Sequence, residues 1–418
     1  MQRKDLVPVH GGLAEPVDRV VALSERRRFL AEAEPLPRLR VSKADLSTLH
    51  RIADGTLSPL EGPMKRDAFY GVLDEQRISV GGKPYAWGIP LAFPATDEEA
   101  GRLAKGGSAA VCEETGAIVA ILDDLEVYAW DKPRYVERVY RTPRFDHPGG
   151  RMVEQDARTR LVGGSLRALP QVFHPEYGEY ILSPRITRAL IRERKWQRAL
   201  AFQTRNPLHR AHEYALVVGA EVLTREGHFT GVVLNPLVGE LKEDDVPAVT
   251  RMRTYRVLHD RRLLGQGDKD EALWESVGYD LNDVFELIGL DMKMFYGGPS
   301  EAIMHAIYRQ NHGFSDLVIG RKHADAPYED GSPIWGDFDA QQVFEELKGE
   351  LHLRPCKIGF AAYYESLGRV DLTERHPDEK PVGVSGTKVR EQLRSGQKPD
   401  PRIMRPETAE ILIEAYRG

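Results

Sequence analysis

From about Ala199 the apolar residues fall into short blocks separated by longer stretches with helical spacing, which predicts strands and helices in alternation. Ala199-Leu200-Ala201-Phe202 reads as a buried parallel strand, because an unbroken apolar run of that length suits a strand covered on both faces. Behind it, Leu208, Ala211, Ala215, Val218 and Val222 recur at the intervals of a helix packed on a sheet. Gly231-Val232-Val233-Leu234, Met292-Lys293-Met294-Phe295-Tyr296 and Leu317-Val318-Ile319 are the next predicted strands. A helix from Asp245 to Leu264, opened by Asp244-Asp245 and Pro247, and another capped by Ser300 and running to about Asn311 fall between them. Repeated strand–helix units imply an open parallel sheet with its site at the carboxyl ends of the strands.

The rhythm differs on either side. Up to about Ala168, short alternating runs with turn signals such as Gly81-Gly82 and Gly106-Gly107 read as mostly β with some helices. From about Glu345, one helix opens at Ser385-Gly386-Thr387 and another spans about Pro406 to Ala415. The chain therefore divides into a mostly-β N-terminal domain over 1–168, a Rossmann-like parallel-sheet domain over 169–344 and a small C-terminal α/β domain over 345–418. At 418 residues and 41% hydrophobic content it can bury a sizeable core.

Charge and cysteine content exclude several classes. A net charge of −6 offers no basic footprint for nucleic acid. No apolar run approaches the ~20 residues that span a bilayer, and Met1-Gln2-Arg3-Lys4-Asp5 begins no signal peptide, so a soluble, cytoplasmic protein without a membrane partner is expected. Cys112 and Cys356 match no CxxC spacing, which argues against a disulfide framework and a cysteine zinc site; both read as packing residues. No metal ligand set is predicted.

The densest chemistry is Gln203-Thr204-Arg205-Asn206-Pro207-Leu208-His209-Arg210-Ala211-His212, where the first strand hands off to its helix. The first amides of a helix lack internal acceptors and sit at the positive end of its dipole, so an anion there is stabilised. Asn206 is the candidate N-cap and Pro207 the candidate first helical residue. His209 and His212, three apart, share a face of the first turn, and Arg205 points to the same anion. A capped helix start with two surface or core histidines is the alternative, but so many polar side chains in ten positions after an apolar strand favour the anion site. Gly320-Arg321-Lys322-His323, after Leu317-Val318-Ile319, brings a guanidinium and an imidazole to the same sheet edge, and Gly320 permits close backbone approach to a ligand.

The Gln203–His212 stretch resembles the signature of the ATP sulfurylase (sulfate adenylyltransferase) family. Further similarities run in chain order: Ser58-Pro59-Leu60-Glu61-Gly62, Val162-Gly163-Gly164, Asn235-Pro236-Leu237-Val238-Gly239 with Lys242, Asp245 and Pro247, Tyr296-Gly297-Gly298-Pro299, Gly320-Arg321-Lys322-His323-Ala324 and Ser385-Gly386-Thr387-Lys388. The resemblance implies a PUA-like β-barrel N-terminal domain, a monofunctional form without a kinase domain (no GxxxxGK[ST] occurs), and a homodimer. It also implies transfer of an adenylyl group from ATP, with Mg2+, to sulfate, giving adenylylsulfate and pyrophosphate by direct displacement.

Position by position, the resemblance gives Thr204, Arg205, Asn206, His209 and His212 catalytic roles. Gln203 and Arg205, with the Ala324 amide, would contact sulfate. Gln203, Arg205, Asn206, Gly320, Arg321, Lys322, His323 and, most loosely, Tyr363 in the Phe360–Tyr363 segment would contact ATP. Arg194, Lys195 and the cations between Arg251 and Arg256 read as solvated faces and stay outside the site. Lys388, Arg390, Arg394 and Lys398 make the last domain basic, either towards ATP or as an exposed helix face. Two departures bear on the acceptor: Lys322 stands where many members have Asp, and Asp325 where they have Gly. They leave open an adenylyltransferase acting on a different oxyanion or phosphorylated acceptor. A PUA-containing RNA-binding protein with a degenerate catalytic domain is the non-enzymatic alternative, against which the intact polar motif weighs.

Overall fold

Five parallel strands form the sheet that the second half of the sequence predicts. In the computed structural model, which describes residues 5–238, 246–383 and 385–417, seven strands precede them: β1 (Arg38–Arg40), β2 (Arg77–Val80), β3 (Lys83–Ala86), β4 (Phe93–Ala95), β5 (Ser108–Cys112), β6 (Ile118–Ala129) and β7 (Arg160–Ala168). Then come β8 (Arg198–Thr204), β9 (Thr230–Pro236), β10 (Phe285–Leu287), β11 (Asp316–Ile319) and β12 (Arg354–Lys357), in the spatial order β10-β9-β8-β11-β12. A small antiparallel pair, β13 (Ala361–Tyr364) and β14 (Arg369–Leu372), follows.

The chain runs outward from β8 to β10, then returns to β8's other side with β11, so the strand order reverses between β8 and β11. An open α/β sheet binds ligands at such a reversal. Both polar motifs follow these two strands. Alternate residues of β8 face opposite layers: Ala199 and Ala201 join one core cluster, Leu200 the other, which packs against the Arg210–Arg225 helix. The edge strand β12 lies in the segment assigned from sequence to the last domain. Its residues are half-buried or exposed and include Pro355, tolerated at a sheet edge, so no apolar run announced it.

In the first part, β1-β5-β6-β7-β4 form a mixed sheet in which β1 and β5 are parallel and the other neighbours antiparallel, with β2 and β3 as a separate hairpin. Helices at Lys43–Ala53, Arg66–Glu75 and Lys132–Tyr140 cover it. This part packs on the Gly298–Asn311 helix, every residue of which is buried. Asn311 Nδ2 donates to the carbonyls of Thr56 and Ser58 at 3.0 and 2.9 Å, and Ser300 Oγ donates to Val139 O at 2.9 Å. At that helix's start, a Cβ on Gly298, whose φ is +49°, would lie 2.5 Å from the Trp335 ring. No helix among the described residues is long and apolar enough to cross a membrane.

Four local expectations are corrected. Met292–Tyr296 is not a strand; β10 takes that place beside β9. The Glu301 carboxylate accepts the amides of Phe295 and Gly297, and Tyr140 Oη donates to Phe295 O, so side chains satisfy this backbone where a neighbouring strand would. Ser300 lies inside its helix, capped at Gly297, and the Ala248–Asp260 helix begins after Pro247 and ends before Leu264. Gly239, Lys242, Asp244 and Asp245 lie outside the described residues. Finally, the motif helix starts at Arg210 with His209 as its N-cap, three residues beyond Asn206. The Asn206 carbonyl accepts instead from Tyr255 Oη at 2.9 Å and Thr204 Oγ1 at 3.0 Å, which holds residues 205–208 as a loop.

Candidate active site

The carboxyl ends of β8 and β11 open into one cleft of about 490 Å³. Its walls include Gln203, Thr204, Arg205, His209 and His212 from one motif and Gly320 to Asp325 from the other. Met294 and the Ile358–Ala361 segment complete it. A Cβ built on Gly320 would meet nothing within 4 Å, so the protein leaves open the side of that loop where a ligand could approach.

Arg205 leaves β8 with its guanidinium 5.4 Å from the Tyr296 ring centroid. Its Nη1 is buried without a hydrogen-bond partner among the described residues, as is Gln203 Oε1. Each costs on the order of 1–3 kcal/mol when left unsatisfied; a bound oxyanion removes the penalty at the Arg205 donor, whereas Gln203 can serve an anion only through its Nε2 amide group. Arg205's backbone is held by Arg251, whose Nη1 donates to Arg205 O at 2.8 Å and Leu237 O at 2.9 Å. Arg251 is buried, contrary to the solvated face read from sequence.

The His209 and His212 rings stack with centroids 3.8 Å apart. His209 Nδ1 accepts the His212 N–H at 3.3 Å, which places the neutral ring's proton on Nε2. Burial, with His212 alongside, pushes His209 down to about 3, so it meets a ligand neutral yet able to donate from Nε2. Thr204 Oγ1 serves the local turn, donating to Asn206 O and accepting from Asn206 N. Asn206 itself is exposed and does not line the cleft.

On the facing loop, Asp337 restrains both cations: Arg321 Nε lies 2.7 Å and Lys322 Nζ 3.8 Å from its carboxylate, and the Lys322 amide donates to Asp337 O at 2.8 Å. Arg321 also stacks 4.1 Å over Phe360. Lys322 and Ala324 adopt left-handed φ values of 50° and 56°, and Ala324 O accepts from Gly298 N at 3.1 Å. Asp325 lines the cleft with a buried, unpartnered Oδ1, and burial raises its carboxyl above the ordinary range. The acidic departure noted in the sequence thus faces inwards.

Tyr363 is not part of the cleft wall; its ring packs under Arg210 and Arg402 at 5.3 and 6.0 Å, while Phe360 and Ala361 line the cleft. Lys388, Arg390, Arg394 and Lys398 are absent from the wall, and Lys398 pairs with Glu410. Sequence reasoning missed Arg251, Asp337 and the Glu301–His305 pair behind His323. Periodicity could have found only Glu301 and His305, charged positions on the core face of a helix.

A parallel sheet whose reversal gathers a helix N-terminus, a guanidinium with an unpartnered nitrogen and a second basic loop is the architecture of an α/β nucleotidyltransferase. A family model for ATP-sulfurylase matches residues 178–415, and one for a PUA-like domain matches residues 7–171. The chain belongs to the ATP-sulfurylase family. It is 52% identical to a sulfate adenylyltransferase of Pyropia yezoensis over 98% of this chain and 97% of that one. It is 35% identical to another of Microcystis aeruginosa over the same shares of each chain. Among solved structures, the hexameric APS kinase from Thiobacillus denitrificans aligns with a TM-score of 0.70 at 21% identity, covering 98% of this chain and 68% of that one. That likeness speaks for the fold.

Proposed function

We propose that this enzyme transfers the adenylyl group of MgATP to sulfate, forming adenylylsulfate and pyrophosphate. The observation that carries this reading is the pairing, in one cleft, of an unsatisfied Arg205 guanidinium nitrogen with the His209–His212 helix start.

Sulfate is a poor nucleophile, so the protein must align two mutually repelling anions and stabilise charge on the reacting oxygens. A sulfate oxygen attacks the α-phosphorus in line; a new P–O bond forms, the bond to the bridging oxygen of the β-phosphate breaks, and its electron pair leaves with pyrophosphate. Arg205 suits the acceptor because its planar fork grips two oxygens at once, with Gln203 and the Ala324 N–H beside it. His209 donates from Nε2 towards the α-phosphate and, with His212, stabilises the departing pyrophosphate. Thr204 and Asn206 hold the loop that aims Arg205, and Gly320, Arg321, Lys322 and His323 receive the nucleotide. Of the Phe360–Tyr363 segment expected to contact ATP, Phe360 rather than Tyr363 is the aromatic residue at the cleft, under Arg321.

Mg2+ enters as part of the substrate. Among the described residues no three His, Cys, Asp or Glu side chains cluster as a cation cage, and Asp325 is the carboxylate of the cleft wall, so the ATP phosphates would hold the ion. The enzyme is read as a cytoplasmic homodimer acting on small molecules and not on nucleic acid.

Pyrophosphate release with molybdate, run beside sulfate, tests the reading, because the molybdate adenylate hydrolyses at once and makes the release continuous. Release with neither anion would remove it. Release only with another oxyanion or a phosphorylated acceptor would move the acceptor assignment to Asp325 and Lys322.

A further inference from the structure

Behind the Gly320–Asp325 loop, two side chains of the Gly298–Asn311 helix stand in line with His323. His305 Nδ1 lies 2.8 Å from His323 Nε2, and His305 Nε2 lies 3.3 Å from Glu301 Oε1. Glu301 and His305 are fully buried, and the carboxylate accepts hydrogen bonds from the Phe295 and Gly297 amides but none from His305. The proposed transfer gives His323 a place at the nucleotide but no part to Glu301 or His305.

Donor and acceptor counting places its protons. Only one proton fits between His305 Nδ1 and His323 Nε2. Above about pH 7, where Glu301 is ionised, its carboxylate 3.3 Å away favours the His305 tautomer with the proton on Nε2 by charge alone, since the two make no hydrogen bond; Nδ1 is then an acceptor and the proton between the rings belongs to His323 Nε2. His323 Nδ1, without a protein partner among the described residues, is then a bare lone pair in a ring that lines the cleft. A lone pair repels a phosphate oxygen. One proton added there creates an imidazolium whose charge is relayed through His305 to Glu301.

The charges facing this row come from several elements. Arg205 from the β8 loop and His323 favour the Glu301 carboxylate, while Arg309 on the same helix opposes charge on His305 and His323. Tyr135, Tyr140 and Tyr308 also feel Glu301, and Lys322 and Asp325 flank His323 in sequence. Burial keeps His323 down at about 3 and lifts Glu301 to about 7 in the protein alone. An arriving phosphate group is the added negative charge that can reverse the first of these.

Resting on the adenylyl-transfer reading, we propose that Glu301 and His305 are positioning residues for His323. They hold it as the Nε2–H tautomer in the free enzyme and let Nδ1 take up one proton from solvent as polyphosphate binds. His323 becomes a charged donor only when phosphate charge is present to receive it.

Nitrogen-15 spectra of histidine-labelled full-length protein, with His323 assigned through His323→Asn, read the tautomer directly. At pH 8, where Glu301 is ionised, the free enzyme should show His323 protonated at Nε2 only, and saturating pyrophosphate should protonate both nitrogens. Calorimetry in two buffers of different ionisation heat should register uptake of about one proton. Glu301→Gln and His305→Gln should mix the tautomers and weaken pyrophosphate binding about tenfold. An Nδ1–H tautomer in the free enzyme, or a neutral His323 with pyrophosphate bound, overturns the proposal even if the variants fail to fold. Failure of both ATP and pyrophosphate to bind would overturn the transfer reading, and this proposal with it.

Discussion

The carbonyl of Arg205 accepts a hydrogen bond from Arg251 Nη1 at 2.8 Å, so one buried arginine fixes the backbone from which another reaches into the cleft. Arg251→Met keeps the side-chain length and removes the donors. It should lower kcat/KM for both substrates by about 10- to 100-fold and destabilise the fold by roughly 2 kcal/mol, since two carbonyls lose a charged donor. Steady-state kinetics and chemical denaturation check this. Unchanged kinetics would show that Arg205 is aimed by other contacts.

Arg205→Ala should cut turnover steeply while leaving thermal unfolding close to that of the parent enzyme, because its guanidinium has an unpartnered nitrogen that the fold does not use. Loss of one preorganised charged donor costs about 3 kcal/mol in the transition state, a factor of 10²–10³. Activity retained at saturating sulfate would reassign the anion pocket.

Asp325→Asn should lower the KM for sulfate severalfold, with a larger gain at low ionic strength, because it removes a negative charge from the cleft wall. A higher KM in that variant would mean that the carboxylate serves the substrates, through a cation or a proton.

Stability should fall as pH drops from about 6.5 towards 4. His10 and His50, pushed down to about 4 by burial, and His305 and His312, held well below the ordinary value, are neutral in the folded chain and protonate on unfolding in that window. The unfolded state then binds more protons, so stability rises with pH. Glu213 and Glu301, raised to about 7 by burial, act oppositely, since they stay protonated in the folded chain while ionising in the unfolded one above about 4.5. Asp54, Glu221 and Asp325, also raised by burial, join them, and these five carboxyls are outnumbered by eight lowered histidines once His147, His209, His212 and His323 are included. A melting temperature that is flat or rises between pH 6.5 and 4.5 would contradict the histidine assignment.

How far the sequence reached depended on whether a residue's role was local. Ala199–Phe202 and Leu317–Ile319 are apolar because both faces of β8 and β11 are covered, so their periodicity announced them and their motifs followed. The N-cap was misplaced because Asn206 lost its carbonyl to Tyr255, 49 residues further on. Met292–Tyr296 looked like a strand because it is buried, while its hydrogen bonds go to Glu301 and Tyr140. Arg251 resembles any helical surface arginine until Arg205 and Leu237 fold over it. Asp337 carries no periodic signal at all, yet it sets the reach of Arg321 and Lys322.

The Gly298–Asn311 helix has one further consequence. The first part of the chain grips it near both ends, through Val139 at Ser300 and through Thr56 and Ser58 at Asn311, while Glu301 and His305 look the other way, towards His323. The N-terminal unit therefore braces the helix behind the cleft, although none of its described residues lines the cleft itself. A chimera that exchanged it for the corresponding unit of a distant relative should keep the β8 and β11 motifs and still lose activity, because the helix that carries Glu301 and His305 would lose its partners at Ser300 and Asn311.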